Sequence, residues 1–240
     1  MKGNKELEML STKLKNIFKE IEREIKGKNI TDRTLDSIIL KTLKNYEISE
    51  KYIEIKFSEP RDTIYRVEAG RTPYDLLSYG KINGKKFFVF INNKFGNLNS
   101  NARNDVTTYN NLLRLYLGIK KQRLTSQVII DNNLIYRRIA GEEIIAYGIF
   151  VVDKKTNNSN FFLLEEISDV FYVNPRNTMF QIKYNPSIKR PIDYYSFVLS
   201  LIDAIIYSLQ KNINSTKTEV VVLNSIKKQI IEIKRSENDS

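Results

Sequence analysis

The sequence predicts an α/β fold in which a central mixed, mostly antiparallel β-sheet is flanked by helices. Apolar residues recur every three or four positions near both ends of the chain, and they alternate with polar residues in between. An Asn-Gly pair separates two of the alternating segments, which is typical of a tight hairpin. Because 240 residues are enough for one substantial core, we expect a single domain. Its parts would be N-terminal helices (4–48), a hairpin core (51–118), and C-terminal strands and a helix (124–235).

Two helices are predicted at the start of the chain. The apolar spacing in residues 4–26 is that of an amphipathic helix, and Gly27 is its expected end. A second helix is predicted for residues 31–46, where Thr31 or Asp32 would provide the N-terminal cap. The apolar stripe of this second helix consists of Leu35, Ile38, Ile39 and Leu43.

The hydrophobic period then changes to that of strands. Apolar and polar residues alternate in residues 51–58, and residues 63–69 form a second predicted strand. Residues 74–82 and 85–93 supply two more, joined at Asn83-Gly84, so we expect an antiparallel hairpin there.

Helices and strands both follow the hairpin. A helix is predicted for residues 104–117, with Gly118 as its end. Further strands are predicted near residues 126–130, 143–152, 161–172 and 179–184, followed by a long apolar helix at 192–209 and a lysine-rich helix or strand from residue 218.

The composition excludes several kinds of active site. The chain contains no cysteine and no histidine, so thiolate chemistry, Ser-His-Asp triads and His-ligated zinc are excluded. An enzyme with this composition would use carboxylates, amides and lysines, and the oxygen donors among these are the ligands of Mg²⁺. We see no membrane span and no signal peptide, and we therefore expect a cytoplasmic protein.

The net charge of +11, from 39 Lys and Arg against 28 Asp and Glu, favours a polyanionic partner. An alternative explanation is drift in an A/T-rich genome, because Lys, Asn, Ile and Tyr are abundant and have A/T-rich codons.

The predicted hairpin brings polar residues from its two ends together. Folding at Asn83-Gly84 makes Asp75 and Asn92 neighbours, and strand alternation places Asn92 and Lys94 on one face with Asn93 turned away. An ordinary hairpin with polar ends is the simpler interpretation. A site that binds a metal ion and a phosphate is the functional one.

The two polar ends resemble the motif of the PD-(D/E)xK nuclease superfamily, whose largest branch is the restriction endonucleases. Pro73-Tyr74-Asp75 corresponds to the first half of the motif, and Asn92-Asn93-Lys94, at the end of an apolar strand, corresponds to the second. The resemblance implies a restriction-endonuclease-like core. The chain departs from the family pattern at Asn92, where an acid is usual. An amide oxygen can bind Mg²⁺ but brings no charge.

The resemblance implies a role for each residue of the motif. Asp75, the side-chain oxygen of Asn92 and the backbone carbonyl of Asn93 would bind Mg²⁺, while Lys94 would serve the attacking water and the phosphate. Glu68 and Glu54 are candidates for a further carboxylate.

A second acid-x-Lys pair, Asp153 and Lys155, also ends an apolar strand and is the alternative site. Glu165 and Glu166 are interpreted as outward charges on the predicted strand 161–172.

The predicted function is that of a Mg²⁺-dependent type II restriction endonuclease, which hydrolyses phosphodiester bonds of double-stranded DNA at a specific sequence. Arg71, Lys86 and Arg103 are candidate DNA contacts, and residues 135–139 form a further basic segment near a predicted loop. Such enzymes usually act as homodimers, with a cognate DNA methyltransferase as partner in the same system. The alternatives are a repair or junction-resolving nuclease, and a non-catalytic DNA-binding protein with a decayed metal site.

Overall fold

The protein is described by a computed structural model that covers residues 5–31, 34–60, 73–99, 104–119, 128, 130–167, 172–174, 179–211 and 217–238. These residues group into two compact units. The first unit comprises the described residues of Met1–Ala102, Ile144–Ser168 and Lys183–Ile192, and the second those of Arg103–Glu143, Asp169–Ile182 and Asp193–Ser240. The prediction of a single nuclease domain stays a prediction.

A six-stranded sheet organises the first unit. Its strands lie in the order β1-β2-β3-β4-β6-β7. The bounds are β1 (Ile48–Ser49), β2 (Ile53–Ser58), β3 (Leu76–Ile82), β4 (Lys85–Gly96), β6 (Glu143–Asp153) and β7 (Ser159–Leu163).

The sheet is mixed, as the sequence predicts. The pairs β1–β2, β2–β3, β3–β4 and β6–β7 are antiparallel. Strands β4 and β6 end side by side, because the Lys154 N–H donates to the Gly96 carbonyl oxygen at 2.9 Å, as in a parallel pair.

Two helices, α1 (Lys5–Ile25) and α2 (Leu35–Leu43), cover one face of this sheet. The Phe18 ring of α1 stacks on Phe161 of β7, with the ring centroids 4.3 Å apart. Alternate residues of β4, Phe87, Val89 and Ile91, lie in the same buried cluster. We call this the helix-covered face, and residues that alternate with these lie on the opposite face.

The second unit contains a three-stranded sheet in the order β5-β9-β8. Its strands are β5 (Asn104–Thr108), β8 (Tyr172–Val173) and β9 (Met179–Ile182). Its helices are α3 (Tyr109–Leu117), α4 (Asn132–Ile139), α5 (Tyr194–Gln210) and α6 (Lys217–Asn238).

A buried ion pair lies within the second unit. The Arg138 side chain is fully buried and contacts Glu143 Oε1 at 3.0 Å. Arg138 Nη1 also donates to the carbonyl oxygens of Leu115 and Tyr116 in the last turn of α3, at 3.1 and 2.6 Å. Arg138 therefore joins α3, α4 and the first residue of β6. Residues 135–139, interpreted as a basic segment near a loop, form the last turns of α4 directly before the turn at 140–142; Arg137 is exposed there, whereas Arg138 is buried.

Most predicted elements are present, with shifted ends. The helix predicted for residues 4–26 is α1, and the apolar helix at 192–209 is α5, capped by Asp193. The second helix begins at Leu35 rather than at residue 31, and a 3₁₀ turn extends it over Lys44–Tyr46. The tail from residue 218 is the helix α6.

Two predicted elements are wrong in part. Residues 104–108 begin the predicted helix, but they form β5, which pairs with β9, and Thr108 caps α3 by accepting a hydrogen bond from the Asn111 N–H. The predicted strand 161–172 ends at Leu163, where a 3₁₀ turn begins.

Glu165 and Glu166 lie in that 3₁₀ turn and are buried, so their interpretation as outward charges is wrong. Glu166 accepts hydrogen bonds from the Ser11 hydroxyl and the Lys15 ammonium, both at 2.7 Å. The carboxylate of Glu166 also accepts from the Leu163 N–H at 3.1 Å, and this bond turns the backbone out of the strand.

Other predicted segments cannot be compared. The predicted strand 63–69 and most of the predicted strand 126–130 lie outside the described residues, as does Asp32. Within the described ranges, no helix is long and apolar enough to cross a membrane.

Candidate active site

The β3–β4 hairpin forms as the sequence predicts. Asn83 and Gly84 both have positive φ, 50° and 81°, which is the backbone of a type I′ turn. The register pairs Ile82 with Lys85 and Leu76 with Ile91. Continued by one residue, this register places Asp75 opposite Asn92.

Two hydrogen bonds attach Asp75 to β4. The Asp75 N–H donates to the Ile91 carbonyl oxygen at 2.8 Å. The Asn93 N–H donates to Asp75 Oδ2 at 2.7 Å, so the backbone of β4 holds the carboxylate directly. Tyr74, just before Asp75, packs its ring on Phe90, with the centroids 4.9 Å apart. The two halves of the Asp75 and Asn92-Asn93-Lys94 pattern therefore meet in the structure.

The three residues at the end of β4 alternate between the faces of the sheet. Asn93 follows Ile91 by two positions, lies on the helix-covered face and donates from Nδ2 to Asp36 Oδ1 of α2 at 2.8 Å. Asn92 is buried, with 7% of its surface exposed, and lies on the opposite face together with the half-buried Lys94. Asp75, Asn92 and Lys94 thus share one face and one end of the sheet.

Tyr147 of β6 belongs to the same cluster, and sequence reasoning missed it. Its hydroxyl is fully buried and donates to the Pro73 carbonyl oxygen at 2.6 Å. Burial raises the pKa of Tyr147, a hydrogen bond from the Asn92 side chain opposes this, and the negative charge of Asp75 raises it further. Tyr147 is therefore a neutral phenol close to both Asp75 and Asn92. Alternation along β6 could have placed it on this face, since a buried tyrosine needs a hydrogen-bond partner.

The donor atoms of this cluster suit a hard divalent cation. Asp75 supplies a carboxylate, and Asn92 and the backbone supply neutral oxygens. Among the described residues, no group of three His, Cys, Asp or Glu side chains could hold a metal ion. One carboxylate is nevertheless compatible with Mg²⁺, which typically binds one or two carboxylates together with water and substrate phosphate oxygens.

The structure does not bring Glu54 to Asp75. Glu54 pairs in register with Lys81, near the other end of β3, and its carboxylate contacts the Lys56 ammonium at 2.6 Å. That contact, through the hydrogen bond and the charge of Lys56, lowers the pKa of Glu54. Glu68, the other candidate carboxylate, lies outside the described residues.

Of the three candidate DNA contacts, the structure describes only Lys86. Lys86 is exposed near the tip of the hairpin, about 20 Å along β4 from Asn92 at the usual rise per residue. Its neighbour Lys85 contacts Glu6 of α1 at 3.2 Å. Arg71 and Arg103 lie outside the described residues.

The alternative site at Asp153 and Lys155 has the contacts of a turn. Asp153 Oδ1 accepts hydrogen bonds from the N–H groups of Lys155 and Thr156 and from the Thr156 hydroxyl, at 2.9 to 3.1 Å. Asp153 Oδ2 accepts from the Leu98 N–H at 3.1 Å. These bonds, led by the one from Lys155, lower the pKa of Asp153. Its carboxylate is occupied by the backbone of the turn between β6 and β7.

Comparison with known proteins gives one strong likeness. No family model matches the sequence. The chain is 63% identical over 236 residues to the type II restriction enzyme MjaIV of Methanocaldococcus jannaschii, and the alignment covers 98% of this chain and 96% of that protein. Identity at this level over nearly the full length of both proteins shows common family membership. The chain belongs to the type II restriction enzymes.

Proposed function

We propose that the protein is a Mg²⁺-dependent endonuclease that hydrolyses phosphodiester bonds of double-stranded DNA at a specific sequence, with a core of the PD-(D/E)xK type. The hydrogen bond from the Asn93 N–H to Asp75 Oδ2, at 2.7 Å, is the observation that carries the proposal. It joins the two halves of the motif in a chain that is 63% identical to a type II restriction enzyme.

Three oxygen atoms of the chain would hold the ion. They are a carboxylate oxygen of Asp75, Oδ1 of Asn92 and the backbone carbonyl oxygen of Asn93, all at the end of β4 or directly across from it. A bound Mg²⁺ would polarise the phosphodiester and lower the pKa of an attacking water. Since Asn92 brings no charge, the DNA phosphate would be the second anionic ligand of a bound Mg²⁺.

Lys94 supplies the positive charge of the site. It lies two positions after Asn92 on the same strand and therefore on the same face. At that position its ammonium group would orient the attacking water and stabilise the charge that develops on the phosphate.

The remaining parts of the proposal concern DNA and partners. The net charge of +11 favours binding of a polyanion, and Lys86, Arg71 and Arg103 are the proposed phosphate contacts. We also propose a homodimer, because two-fold protein symmetry matches a palindromic DNA site, and a DNA methyltransferase as partner of the system. A cytoplasmic location stays a prediction.

Digestion of a long, mapped DNA tests the proposal. Purified protein is incubated with the DNA with and without Mg²⁺, alongside the Asp75→Asn variant. Asp203→Asn is the matched control, because Asp203 is an exposed residue of α5 that pairs with Lys227. We expect discrete bands for wild type and Asp203→Asn with Mg²⁺, and none for Asp75→Asn. A smear, cuts only at branched DNA, or equal cutting by Asp75→Asn would contradict the proposal.

A further inference from the structure

The end of the β3–β4 hairpin near its turn carries an exposed pair of lysines. Lys81 of β3 pairs in register with Lys86 of β4, and both side chains are exposed. Lys81 follows Asp75 by six positions, and Lys86 precedes Asn92 by six. Because side chains alternate along a strand, the lysine pair lies on the same face of the sheet as Asp75 and Asn92. All four residues belong to the first unit.

This pair of lysines is unfavourable for the sheet itself. Like charges that lie directly opposite each other on paired strands destabilise the pairing. The neighbouring Lys85 differs, because it lies on the helix-covered face and its ammonium contacts Glu6 at 3.2 Å. Among the described residues, neither Lys81 nor Lys86 makes an ion pair of this kind. The fold does not require the pair, which favours a role for it in binding an anion.

A third lysine adds positive charge on the same face. Glu54 of β2 pairs in register with Lys81, and its carboxylate contacts the ammonium of Lys56, two positions along the strand, at 2.6 Å. At this end of β2, β3 and β4, the face therefore carries three lysines and one glutamate. The glutamate is already in contact with Lys56, so the cluster as a whole keeps a net positive charge.

Two half-buried aromatic residues lie among these lysines. Tyr79 pairs in register with Lys56 on one side and with Phe88 on the other, so all three share a face. Apolar surface of this kind can cover the aliphatic stems of lysines and leave their ammonium groups in water. The Asn83 N–H also donates to the Tyr52 carbonyl oxygen at 2.8 Å, which ties the hairpin turn to the residues before β2. We call Lys56, Lys81, Lys86, Tyr79 and Phe88 the tip surface.

We propose that the tip surface binds the phosphate backbone of the DNA substrate at a distance from the cut. The inference rests on the proposed function, because it takes DNA as the ligand. Six residues of strand separate the lysine pair from Asp75 and Asn92, which is about 20 Å at the usual rise per residue. Each strand of B-DNA carries one phosphate for about every 3.4 Å of helix axis. The tip surface therefore reaches phosphates about six base pairs from the scissile bond.

Substitution of the lysine pair, combined with a change of DNA length, tests the proposal. The duplexes contain the cut site found by digestion and end about three or about twelve base pairs from the cut on both sides. Binding is measured with Ca²⁺ in place of Mg²⁺ for wild type, Lys81→Ala, Lys86→Ala and the double variant. Lys85→Ala is the matched control, because it removes the same charge from the same strand but on the helix-covered face.

The expected result depends on the length of the DNA. Lys81→Ala and Lys86→Ala should each weaken binding of the longer duplex about threefold to tenfold, the range of one lost hydrogen bond. Binding of the shorter duplex should change by less than about twofold, because that duplex ends before it reaches the tip surface. Lys85→Ala should bind both duplexes as wild type does.

Neutral linkages in the DNA test the same contact from the other side. Methylphosphonates replace the phosphates about four to eight base pairs from the cut, which removes their charge. This change should weaken binding by wild type and leave binding by the double lysine variant nearly unchanged. Equal weakening of both proteins would mean that these phosphates contact other residues, and would contradict the proposal.

Three further results would overturn the inference. Unchanged binding of the longer duplex by both lysine variants would remove the tip surface from the DNA contacts, and equal weakening on both duplexes would place the lysines near the cut. A change in the sedimentation of the lysine variants with unchanged DNA affinity would assign the surface to a second copy of the chain. In each case, discrete Mg²⁺-dependent cleavage by wild type would leave the proposed function intact. Absence of such cleavage would overturn the proposed function and this inference together.

Discussion

The Asn93 backbone N–H donates to Asp75 Oδ2 at 2.7 Å, while the Asn93 side chain lies on the other face of the sheet and donates to Asp36. The carboxylate of Asp75 is therefore held by the backbone of β4 and by no feature of the Asn93 side chain. The side chains of the neighbouring asparagines, Asn92 and Asn93, consequently lie on different faces of the sheet. The Asn92 side chain lies on the face of the proposed metal site, and the Asn93 side chain contacts Asp36 of α2.

Alanine substitution should separate the two asparagines. Asn92→Ala removes the only side-chain oxygen at that position, so cleavage should fall by about 10²-fold or more across a Mg²⁺ titration. Asn93→Ala keeps the backbone N–H that holds Asp75 and should retain cleavage within about threefold, at some cost in stability from the lost contact with Asp36. Equal cleavage by Asn92→Ala and wild type at every Mg²⁺ concentration would show that Asn92 is not a ligand.

Lys94→Ala should reduce cleavage by about 10²-fold or more and leave DNA affinity nearly unchanged. The proposed role of Lys94 is exerted on the attacking water and on charge in the transition state, so its loss should affect the rate more than binding. Single-turnover cleavage and equilibrium DNA binding are measured on the same preparations. Lys155→Ala is the matched control, since Lys155 belongs to the alternative site. Equal loss of binding and cleavage by Lys94→Ala would make it a phosphate contact only.

The hairpin was predictable because its signals are local. The Asn83-Gly84 turn, the alternation on both sides and the polar ends all lie within about twenty residues, and the register follows from the turn. Strand β5 was not predictable in this way. It is a strand because it pairs with β9, more than seventy positions later, and its sequence alone continues into a helical pattern.

For the candidate site too, only the residues that lie close together in the sequence could be predicted. Asp75, Asn92 and Lys94 could be identified from the chain, because one hairpin carries all three. Tyr147 comes from β6, and its relevance depends on the Pro73 carbonyl oxygen and on Asn92, which only the folded sheet brings near. Glu166 is similar, since its partners Ser11 and Lys15 come from α1. The surroundings of Tyr147 and Glu166 depend on contacts between distant segments of the chain, and the alternation of residues along one strand does not predict such contacts.

DNA binding should weaken steeply with salt. Each phosphate neutralised by Lys or Arg releases counterions, so the logarithm of the association constant should fall by about 0.9 per contact for each unit of log salt. Binding is measured between about 50 and 200 mM salt with Ca²⁺ in place of Mg²⁺. Lys86→Ala should reduce the slope by about one contact if Lys86 binds a phosphate. A flat dependence would mean that the charge of +11 reflects composition alone.

Loss of the buried Arg138–Glu143 pair should destabilise the protein more than loss of the exposed Asp203–Lys227 pair. Glu143→Ala removes the carboxylate that contacts the fully buried Arg138 guanidinium at 3.0 Å, at a cost of about 3–5 kcal/mol. Asp203→Ala breaks the solvent-exposed pair with Lys227 and should cost about 0–1 kcal/mol. Urea unfolding of both variants measures the difference. Similar costs for the two variants would contradict the assignment of Arg138 as a buried structural cation.

Substitution of Asp153 by Asn should change the stability of the protein in acid without changing its cleavage of DNA. Hydrogen bonds from the backbone of its turn lower its pKa below the ordinary value of 3.8, so the folded state binds the proton less readily than the unfolded chain. The stabilisation is present above the ordinary pKa and is lost as the pH falls through the lowered one. Asp153→Asn removes the charge, so the stability difference between wild type and variant should shrink as the pH falls from about 5 to about 2. Urea unfolding at several pH values measures this.

Cleavage near neutral pH by the folded Asp153→Asn protein should match wild type. Loss of cleavage with an intact fold would move the active site from Asp75 and Lys94 to Asp153 and Lys155.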